Sequence, residues 1–537
     1  MTRVNLLSPD NLKDTLSSPL PHYFYVPYFV PFVLFTVSLY VRPGLCYDCG
    51  TGFLALGNML AGGPFNTIAA PDPGNIAIDA SRFLTWLSPG QYLVPGSFIW
   101  LGTDYGLALS VTTLIVTLLG LWGWTQVARS FAVSSSVLFV FIFGLATFVF
   151  TTRPFRVYVG GEELLFAAAP WSFYVMRGAS DKRAIICFAV SLMSAALLSV
   201  AKLTGLIVFA TNVVAISLLT FVNQRRLNFS IIAMWVASAI GAICFIMFWA
   251  ARGSTPANGT TFAFNWFPIW FAVASVASSG VTGFEFFRSL LRHPVAIVSD
   301  NQSLLQLFSY VFGPFGLLLM AWAWLRLHQT RFREMAILFL SVIFLYIIAV
   351  ATMYLWGAKI SFDERHFRYA GILFFLLLLT AIDQSRVPLA RSFAGVMVFL
   401  LGFYGLVETA VGTYNFVQSG KYDSASGISL DVLSPNVLDY LRSEVRQNNL
   451  QRPIAAVPRP TDVVALPGFR ILLIREGPVD KNVYAQKLAG RGEKIFVITQ
   501  EEMLGNGMAE DILRSFIDYK FENWRKVTID GLVVFSQ

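Results

Sequence analysis

The sequence predicts a multi-pass α-helical membrane protein of about 11 transmembrane helices with a small C-terminal extracytoplasmic α/β domain. Only 13% of its 537 residues are charged and 56% are hydrophobic, whereas soluble domains have roughly 25% charged and 45–50% apolar residues. The mean hydropathy of +0.63 therefore requires many apolar segments, which excludes a soluble globular protein. After Phe416 the charge content becomes ordinary, which predicts a separate soluble domain.

Apolar runs of spanning length occur along the first three quarters of the chain. The first follows 23 mostly polar residues and lacks a small-residue cleavage site, so we expect a retained helix with a cytoplasmic N-terminus. The runs cover residues 24–41, 105–128, 131–151, 164–176, 184–201, 203–222, 230–251, 303–325, 335–355, 369–382 and 393–413.

The charges assign a side of the membrane to each loop. With a cytoplasmic start, about 13 Lys and Arg fall in the N-terminal segment and the short inner loops, as the positive-inside rule requires. An odd number of spans then places the C-terminal domain outside an inner (plasma) membrane. Of the 39 Lys and Arg, 24 lie in residues 1–416 against 16 acids there, so the net charge of +8 belongs to the membrane part. A nucleic-acid partner is not expected, because it would require a basic soluble surface.

We therefore divide the chain into a transmembrane module, residues 1–416, and a soluble extracytoplasmic domain, residues 417–537. Hydrophobic periodicity in the second predicts helices and strands of an α/β domain, and the sequence lacks a phosphate-binding loop or a Cys and His cluster there. The predicted helices are 435–448 and 508–520, and the strands are 454–457, 470–474, 494–499 and a pair within 526–535.

Two predicted outer loops, 43–104 and 252–302, are much longer than a turn needs, and loops of that length are usually functional. Residues 80–87 and 262–291 mix Phe and Trp with polar residues, which predicts helices lying in the membrane interface. These helices could equally pack the loops or bind substrate.

Acids are scarce in the outer loops, and Asp48 follows the first apolar run closely. A carboxylate there could act as general base on an incoming hydroxyl or amine, or be a solvated loop residue. Cys46 and Cys49 flank it on an oxidising face, so a disulfide or a redox couple is conceivable.

Glu162 and Glu163 stand directly before the fourth apolar run. Their charge suits the N-terminal end of a helix, and capping alone could explain them. Two adjacent carboxylates near Arg153 and Arg156 exceed what capping requires, which favours a function for at least one of them.

Several bases oppose the positive-inside pattern. Lys202 lies at an outer turn between two long apolar runs, and Arg365, His366 and Arg368 follow Asp363 in a later outer loop. Snorkelling to the interface could explain Lys202. Because arginine is well suited to clamping phosphate, the group also indicates an anion site on the outer leaflet.

The order of these features resembles the C-type (GT-C) membrane glycosyltransferases, which include protein O-mannosyltransferases and bacterial aminoarabinose transferases. The strongest stretch is in the first outer loop: Tyr47-Asp48, then residues 58–64, then residues 88–96. It is similar to the family's Asp, short helix and Gly, followed by a Pro- and Tyr-rich segment.

The resemblance implies an enzyme that moves a sugar, with inversion, from a polyprenyl-phosphate donor to a lipid, polysaccharide or protein acceptor outside the membrane. The implied catalytic residues are Asp48 as base, Glu163 as second acid, and Glu162. The implied phosphate-binding residues are Lys202, Arg365, Arg368 and Arg156, and the substrate-cavity residues are Tyr47, Tyr92 and His366. Several relatives have a second acid where this chain has Cys49, so no metal site and no certain cofactor is predicted, although a divalent metal stays open.

Three alternatives stay open at the level of sequence. A transporter or flippase of a lipid-linked or amphipathic solute predicts ionisable groups near the bilayer midplane, and Glu408 is the main deep acid. A non-catalytic assembly or sensing protein would leave Asp48, Glu163 and Arg365 without a shared cavity. A quinone-linked thiol oxidant would need a second outer cysteine pair.

Overall fold

The computed structural model describes residues 21–46, 49–224, 228–252, 261–281, 283–284, 286–287, 301–358, 360–385, 387–474, 484, 493–505 and 507–537. The membrane part and the first outer loop contain α1 (Tyr25–Tyr40), β1 (Gly44–Leu45), α2 (Cys49–Leu60), β2 (Thr67–Asp72), β3 (Asn75–Phe83), α3 (Gly90–Trp100), α4 (Tyr105–Arg129), α5 (Ser135–Thr147), α6 (Val149–Thr152), β4 (Val157–Tyr158), α7 (Gly161–Ala179), α8 (Ala184–Ala201), α9 (Gly205–Gln224), α10 (Phe229–Phe248), α11 (Trp266–Ser279), α12 (Asn301–Leu327), α13 (Arg333–Leu355), α14 (Arg368–Asp383) and α15 (Pro388–Ser419). The C-terminal part contains β5 (Tyr422–Asp423), β6 (Ile428–Ser429), α16 (Pro435–Gln447), β7 (Ile454–Val457), β8 (Arg470–Leu473), β9 (Ile495–Gln500), α17 (Glu502–Gly505), α18 (Met508–Arg514), β10 (Arg525–Ile529) and β11 (Leu532–Ser536).

The apolar helices confirm a multi-pass α-helical membrane protein. Within the described ranges, nine helices are long and apolar enough to cross a membrane, and a tenth span results if α5 and the segment Val149–Phe155, bent by 52°, count as one. The bend follows from the extended backbone of Phe148, which interrupts the helical hydrogen bonds between α5 and α6. The remaining predicted span, 164–176, coincides with α7, whose first turn carries two carboxylates.

Several membrane helices begin at residues whose side chains accept a hydrogen bond from the first turn. Asp104 accepts from the backbone N–H of Leu107 before α4, and Asn228 accepts from Ile231 before α10. Such caps satisfy amides that have no partner within the helix. The predicted helix starts therefore agree with local chemistry as well as with hydropathy.

The first outer loop folds as α2, a β2–β3 hairpin and α3. The interfacial helix predicted for residues 80–87 is wrong, because residues 80–83 belong to β3 and pair with β2. The reversal lies at Asp72, whose carboxylate accepts hydrogen bonds from the amides of Gly74 (2.7 Å) and Asn75 (3.3 Å). This turn redirects the chain into a second strand, which the mixed Phe and Trp pattern did not reveal. The helix expected within residues 262–291 is present as α11.

The C-terminal domain is confirmed as a small α/β domain. Its five-stranded sheet has the order β10-β11-β9-β7-β8, with β7 parallel to β8 and β9 and with β11 antiparallel to its neighbours. The strands lie close to where the sequence predicted them, but the predicted helix 508–520 is shorter and ends at Arg514. The domain division after residue 416 stays a prediction, and α15 continues to Ser419 before Gly420, with a left-handed φ of 63°, ends it.

The first outer loop and the C-terminal domain share one hydrophobic core, so they lie on the same side of the membrane helices. Its buried members include Phe53 and Tyr92 from the loop and Leu438 and Phe496 from the domain. At the closest approach a Cβ on Gly50 would lie 1.5 Å from a backbone oxygen of Pro460, so only glycine fits there. α2 is therefore fixed directly against the C-terminal domain.

Candidate functional site

A short parallel ladder brings two predicted acidic motifs to the same place. Strand β1 pairs with β4, and the amides of Gly44 and Cys46 donate to the carbonyls of Arg156 and Tyr158, each at 2.9 Å. The chain segment before residue 47 thus runs beside the segment before Glu162. Tyr47 and Asp48 themselves lie outside the described residues, so their predicted roles stay predictions.

Cys46 and Cys49, which flank those two residues, form a disulfide. Of the two possibilities that the sequence leaves open, a disulfide or a redox couple, the structure contains the disulfide. Cys49 is also the first residue of α2, and its amide donates to the carbonyl of Cys46 at 3.0 Å. The residues on both sides of the 47–48 segment are thus fixed, by β4 on one side and by α2 on the other.

Glu163 is buried in the first turn of α7 and is fully engaged by neutral donors. Thr113 donates its hydroxyl to one carboxylate oxygen at 2.8 Å, and the amide of Val159 donates to the other at 3.0 Å. The preceding turn requires Gly160, whose φ of 63° is left-handed. The backbone therefore bends back so that residue 159 can bond Glu163.

Glu162 has a different environment, because it lies among cations. Its Oε1 forms a close ion pair with Nζ of Lys202 and lies 3.7 Å from Nε of Arg365. The charge of Arg368 also acts on this carboxylate. The side chains of Glu162, Lys202 and Arg365 are 7%, 12% and 33% exposed, so water screens these charges little. We call Lys202, Arg365 and Arg368 the cation cluster.

Three separate parts of the chain supply the cation cluster. Lys202 is the residue between α8 and α9, and burial lowers its pKa while Glu162 acts in the opposite direction. Arg365 lies in a short 3₁₀-helix, Glu364–Phe367. Asp363 accepts a hydrogen bond from the amide of Arg365 at 3.0 Å and forms an ion pair with its guanidinium, in which Nε lies 3.0 Å from the carboxylate. Asp363 therefore holds Arg365 toward Glu162.

Arg368 begins α14 and stacks on a ring instead of pairing closely with an acid. Its guanidinium carbon lies 4.7 Å from the centroid of Phe150, a cation–π geometry. Its buried Nε has no hydrogen-bond partner among the described residues. Arg368 thus supplies positive charge and an unused donor at the site.

Glu364 is a buried residue of the site that the sequence reasoning did not assign. Its Oε2 accepts a hydrogen bond from the Ser278 hydroxyl at 2.8 Å and one from the Phe284 amide at 3.2 Å. It thereby ties the end of α11 and the residues after it to the turn that carries Arg365. Its position between Asp363 and Arg365 was the only signal in the sequence.

The other predicted site residues lie in different surroundings. Arg156 does not join the cation cluster through an ion pair with Glu162; it pairs with Glu408 of α15 at 3.0 Å. Tyr92 is fully buried and donates its hydroxyl to Asn66. His366 lies beside the cluster and interacts electrostatically with Lys202 and Arg365. Contact of Tyr92 or His366 with substrate stays a prediction.

The site has an excess of positive charge near Glu162. The three cations of the cluster face two carboxylates, Glu162 and Asp363. Such a partly buried excess favours binding of an anion. In the part of the chain that the structure describes, no group of three or more His, Cys, Asp or Glu side chains could hold a metal ion.

Comparison with known proteins identifies the fold. No protein-family model matches the sequence, and no curated protein matches it. The structure of ArnT from Cupriavidus metallidurans bound to undecaprenyl phosphate is similar with a TM-score of 0.53 at 12% identity, covering 96% of this chain and 98% of that chain. The apo form of the same protein gives 0.52 at 14% identity, covering 96% and 97%.

An oligosaccharyltransferase from Archaeoglobus fulgidus, in complex with Zn and sulfate, is similar with a TM-score of 0.50 at 13% identity, covering 94% of this chain and 72% of that chain. At these identities the likeness concerns the fold. The chain is thus a multi-pass membrane protein with the fold of the GT-C glycosyltransferases, and the resemblance found in the sequence is confirmed.

Proposed function

We propose that this protein is a membrane glycosyltransferase that moves a sugar from a polyprenyl-phosphate donor to an acceptor on the extracytoplasmic face. The observation that carries the proposal is the convergence of Lys202, Arg365 and Arg368 around one buried carboxylate. These cations come from turns at helix ends, where a lipid phosphate at the membrane surface can reach them. A protein of the same fold was solved bound to undecaprenyl phosphate, which supports a lipid-phosphate donor.

The cation cluster binds the phosphate of the donor and stabilises it as leaving group. When the bond between the anomeric carbon and the phosphate oxygen breaks, the electron pair stays on the phosphate and its negative charge grows. Positive groups held in place before the reaction stabilise this charge without reorganisation. Arg156 is left out of this role, because its guanidinium is engaged by Glu408.

Asp48 acts as the base on the acceptor. It accepts the proton of the acceptor hydroxyl or amine while that atom forms the new bond to the anomeric carbon, opposite the departing phosphate, so that the configuration inverts. The β1–β4 ladder and the Cys46–Cys49 disulfide support this role, since they fix the chain on both sides of residues 47–48 near the segment of Glu162 and Glu163. Glu163 is the second acid of the site.

The orientation follows from charge and redox chemistry. Lys and Arg in the short loops favour a cytoplasmic N-terminus, by the positive-inside rule. A disulfide is stable in an oxidising compartment, which supports an extracytoplasmic first outer loop. Because that loop shares a core with the C-terminal domain, the domain lies on the same outer face of the plasma membrane.

The alternative function, a transporter or flippase, rests on deep ionisable groups. The main one, Glu408, forms an ion pair with Arg156, the residue directly before strand β4 of the outer strand pair. A transporter would move the lipid-linked solute without breaking a bond. Release of free polyprenyl phosphate therefore distinguishes the two functions.

The test replaces the proposed base. Asp48→Asn should lower transfer of radiolabelled sugar from a polyprenyl-phosphate donor in isolated membranes by about 100-fold or more, as loss of a general base does. The matched control is Asp72→Asn in the same loop, because asparagine can replace aspartate in that turn. Equal membrane insertion is checked for both variants. Full activity of Asp48→Asn would remove Asp48 from the mechanism.

A further inference from the structure

The two adjacent glutamates of α7 differ in what they contact, and this difference has a functional meaning. Among the residues that the structure describes, Glu163 accepts hydrogen bonds from two neutral donors, the Thr113 hydroxyl and the Val159 amide. Glu162 places one oxygen against both Lys202 and Arg365. An anion is thus already present where the proposed function needs the donor phosphate to bind.

The charge of the ligand changes during the proposed reaction. A polyprenyl-phosphate sugar is a phosphodiester with one negative charge, whereas the product is a monoester with about −1.5 to −2 at neutral pH. The cation cluster supplies three positive charges, and Glu162 and Asp363 supply two negative ones. These five groups leave one net positive charge, which matches the singly charged donor better than the more negative product. The nearby carboxylates of Glu163 and Glu364 instead accept hydrogen bonds from neutral donors.

We propose that Glu162 is a built-in counter-ion that keeps the phosphate site matched to the donor and expels the polyprenyl-phosphate product. This inference rests on the proposed function, and it assigns Glu162 a positioning role instead of proton transfer. Attraction grows in proportion to the ligand charge, while the cost of removing the ligand from water grows faster, as the square of the charge. With Glu162 present, the more highly charged product gains too little attraction to offset its desolvation.

Neutralising Glu162 should make the site retain its product. Glu162→Gln raises the net charge of the site by one positive unit. This added charge attracts a dianion twice as strongly as a monoanion. Glutamine can still accept a hydrogen bond from Lys202, which limits the damage to the fold. The affinity for product should therefore rise more than the affinity for donor.

The binding experiment uses the purified full chain in detergent with undecaprenyl phosphate as the probe. Glu162→Gln should bind it about tenfold more tightly than the wild type. Glu162→Asp keeps the charge and should stay near the wild-type affinity. Glu163→Gln makes the same side-chain substitution one residue along and should tighten binding less, because its carboxylate contacts no cation of the cluster.

A kinetic measurement separates this role from a structural one. In the Glu162→Gln variant the inhibition constant for undecaprenyl phosphate should fall more than the KM for donor, and kcat should fall because product release limits turnover. A variant that was merely misfolded would bind both ligands more weakly. A second measurement needs no variant: the wild type should bind the methyl phosphodiester of undecaprenyl phosphate at least as tightly as the monoester.

Each outcome decides the inference. Equal or weaker binding of undecaprenyl phosphate by Glu162→Gln, or a wild-type preference for the monoester over the methyl diester, overturns it. If the wild type binds neither lipid, the proposed function itself fails. If the wild type binds them and only the order of affinities is wrong, the proposed function stands and the role of Glu162 falls.

Discussion

Asp79 and Glu162 each contact two cations, and a comparison of the two shows how a ligand-binding site differs from a structural ion-pair cluster. Asp79, on the β2–β3 hairpin, accepts Nε and Nη2 of Arg470 on one oxygen, at 2.9 and 2.7 Å, and Nη2 of Arg452 on the other, at 3.2 Å. Glu162 instead offers a single oxygen to Lys202 and Arg365.

Burial and geometry separate the two clusters. We call Asp79, Arg452 and Arg470 the Asp79 clamp. The Asp79 side chain is 28% exposed and Arg452 is 51% exposed, so water solvates any charge that is left unpaired in the clamp. Glu162 is 7% exposed, and Arg368 stands near it without a close acidic partner among the described residues. We infer that the Asp79 clamp fastens the first outer loop to the C-terminal domain, whereas the cation cluster is organised to bind an anion reversibly.

The largest effect is expected from Lys202→Ala. It removes a cation of the proposed phosphate site and leaves Glu162 buried without its closest partner, so undecaprenyl phosphate binding should fall by about 100-fold and the unfolding free energy by about 3–5 kcal/mol. Lys202→Arg keeps the charge and separates the two effects in binding and thermal unfolding measurements. Unchanged binding in Lys202→Ala would show that the cluster does not hold the phosphate.

A smaller effect is expected from Arg368→Gln. Because no close ion pair among the described residues depends on Arg368, the fold should be little affected, while the donor KM should rise about tenfold through loss of one positive charge. Initial rates over a range of donor concentrations measure this, with Arg368→Lys as the control that retains charge. A donor KM equal to that of the wild type would confine the site to Lys202 and Arg365.

Breaking the clamp should affect stability and leave donor binding unchanged. Asp79→Asn should lower the unfolding free energy by about 1 kcal/mol, because it weakens a bidentate pair with the mostly buried Arg470. Limited proteolysis of the β2–β3 hairpin should become faster, and the donor KM should stay at the wild-type value. Arg452→Gln, at the exposed contact, should have less effect than Arg470→Gln. A raised donor KM in Asp79→Asn would contradict the distinction between clamp and site.

The smallest effect concerns Asp423, a carboxylate at the junction of α15 and the C-terminal domain. Burial acts to raise its pKa, but hydrogen bonds from Ser426 and Arg442 outweigh this and hold the pKa below its usual range. Its contribution to stability is thus full above the unfolded pKa of about 4 and is lost as the pH falls through the lower folded value. The stabilities of wild type and Asp423→Asn in thermal unfolding should therefore differ at pH 6, and the difference should shrink as the pH falls below about 4. If the stability difference between the two proteins instead grew as the pH falls, it would contradict a lowered pKa of Asp423.

The sequence predicted most of the fold because the relevant signals are local. Strands β7, β8 and β9 are short, nearly continuous apolar runs, and each apolar helix is recognisable within about 20 residues of sequence. The prediction of a helix at residues 80–87 failed for a physical reason, because a strand forms through hydrogen bonds to a partner strand elsewhere in the chain. Residues 80–83 are a strand because they pair with β2 across the turn at Asp72, and no pattern within residues 80–87 shows this pairing.

The candidate site was predicted in composition and only partly in arrangement. Lys202, Arg365 and Arg368 were conspicuous because they oppose the positive-inside pattern. Their meeting at Glu162 joins segments 40 residues apart in one case and about 200 in another, a distance over which no local pattern acts. The pairing of Arg156 with Glu408, 252 residues away, was unpredictable for the same reason.

The core shared by the first outer loop and the C-terminal domain sets an order of events during synthesis. Phe53 and Tyr92 emerge from the ribosome early, whereas their partners Leu438 and Phe496 emerge only after every membrane helix has been made. Until then the loop exposes apolar surface outside the membrane. A chain interrupted within the helices would keep that surface open, which marks it for the proteases and chaperones of the cell envelope. Folding of the C-terminal domain thus buries the apolar surface of the first outer loop.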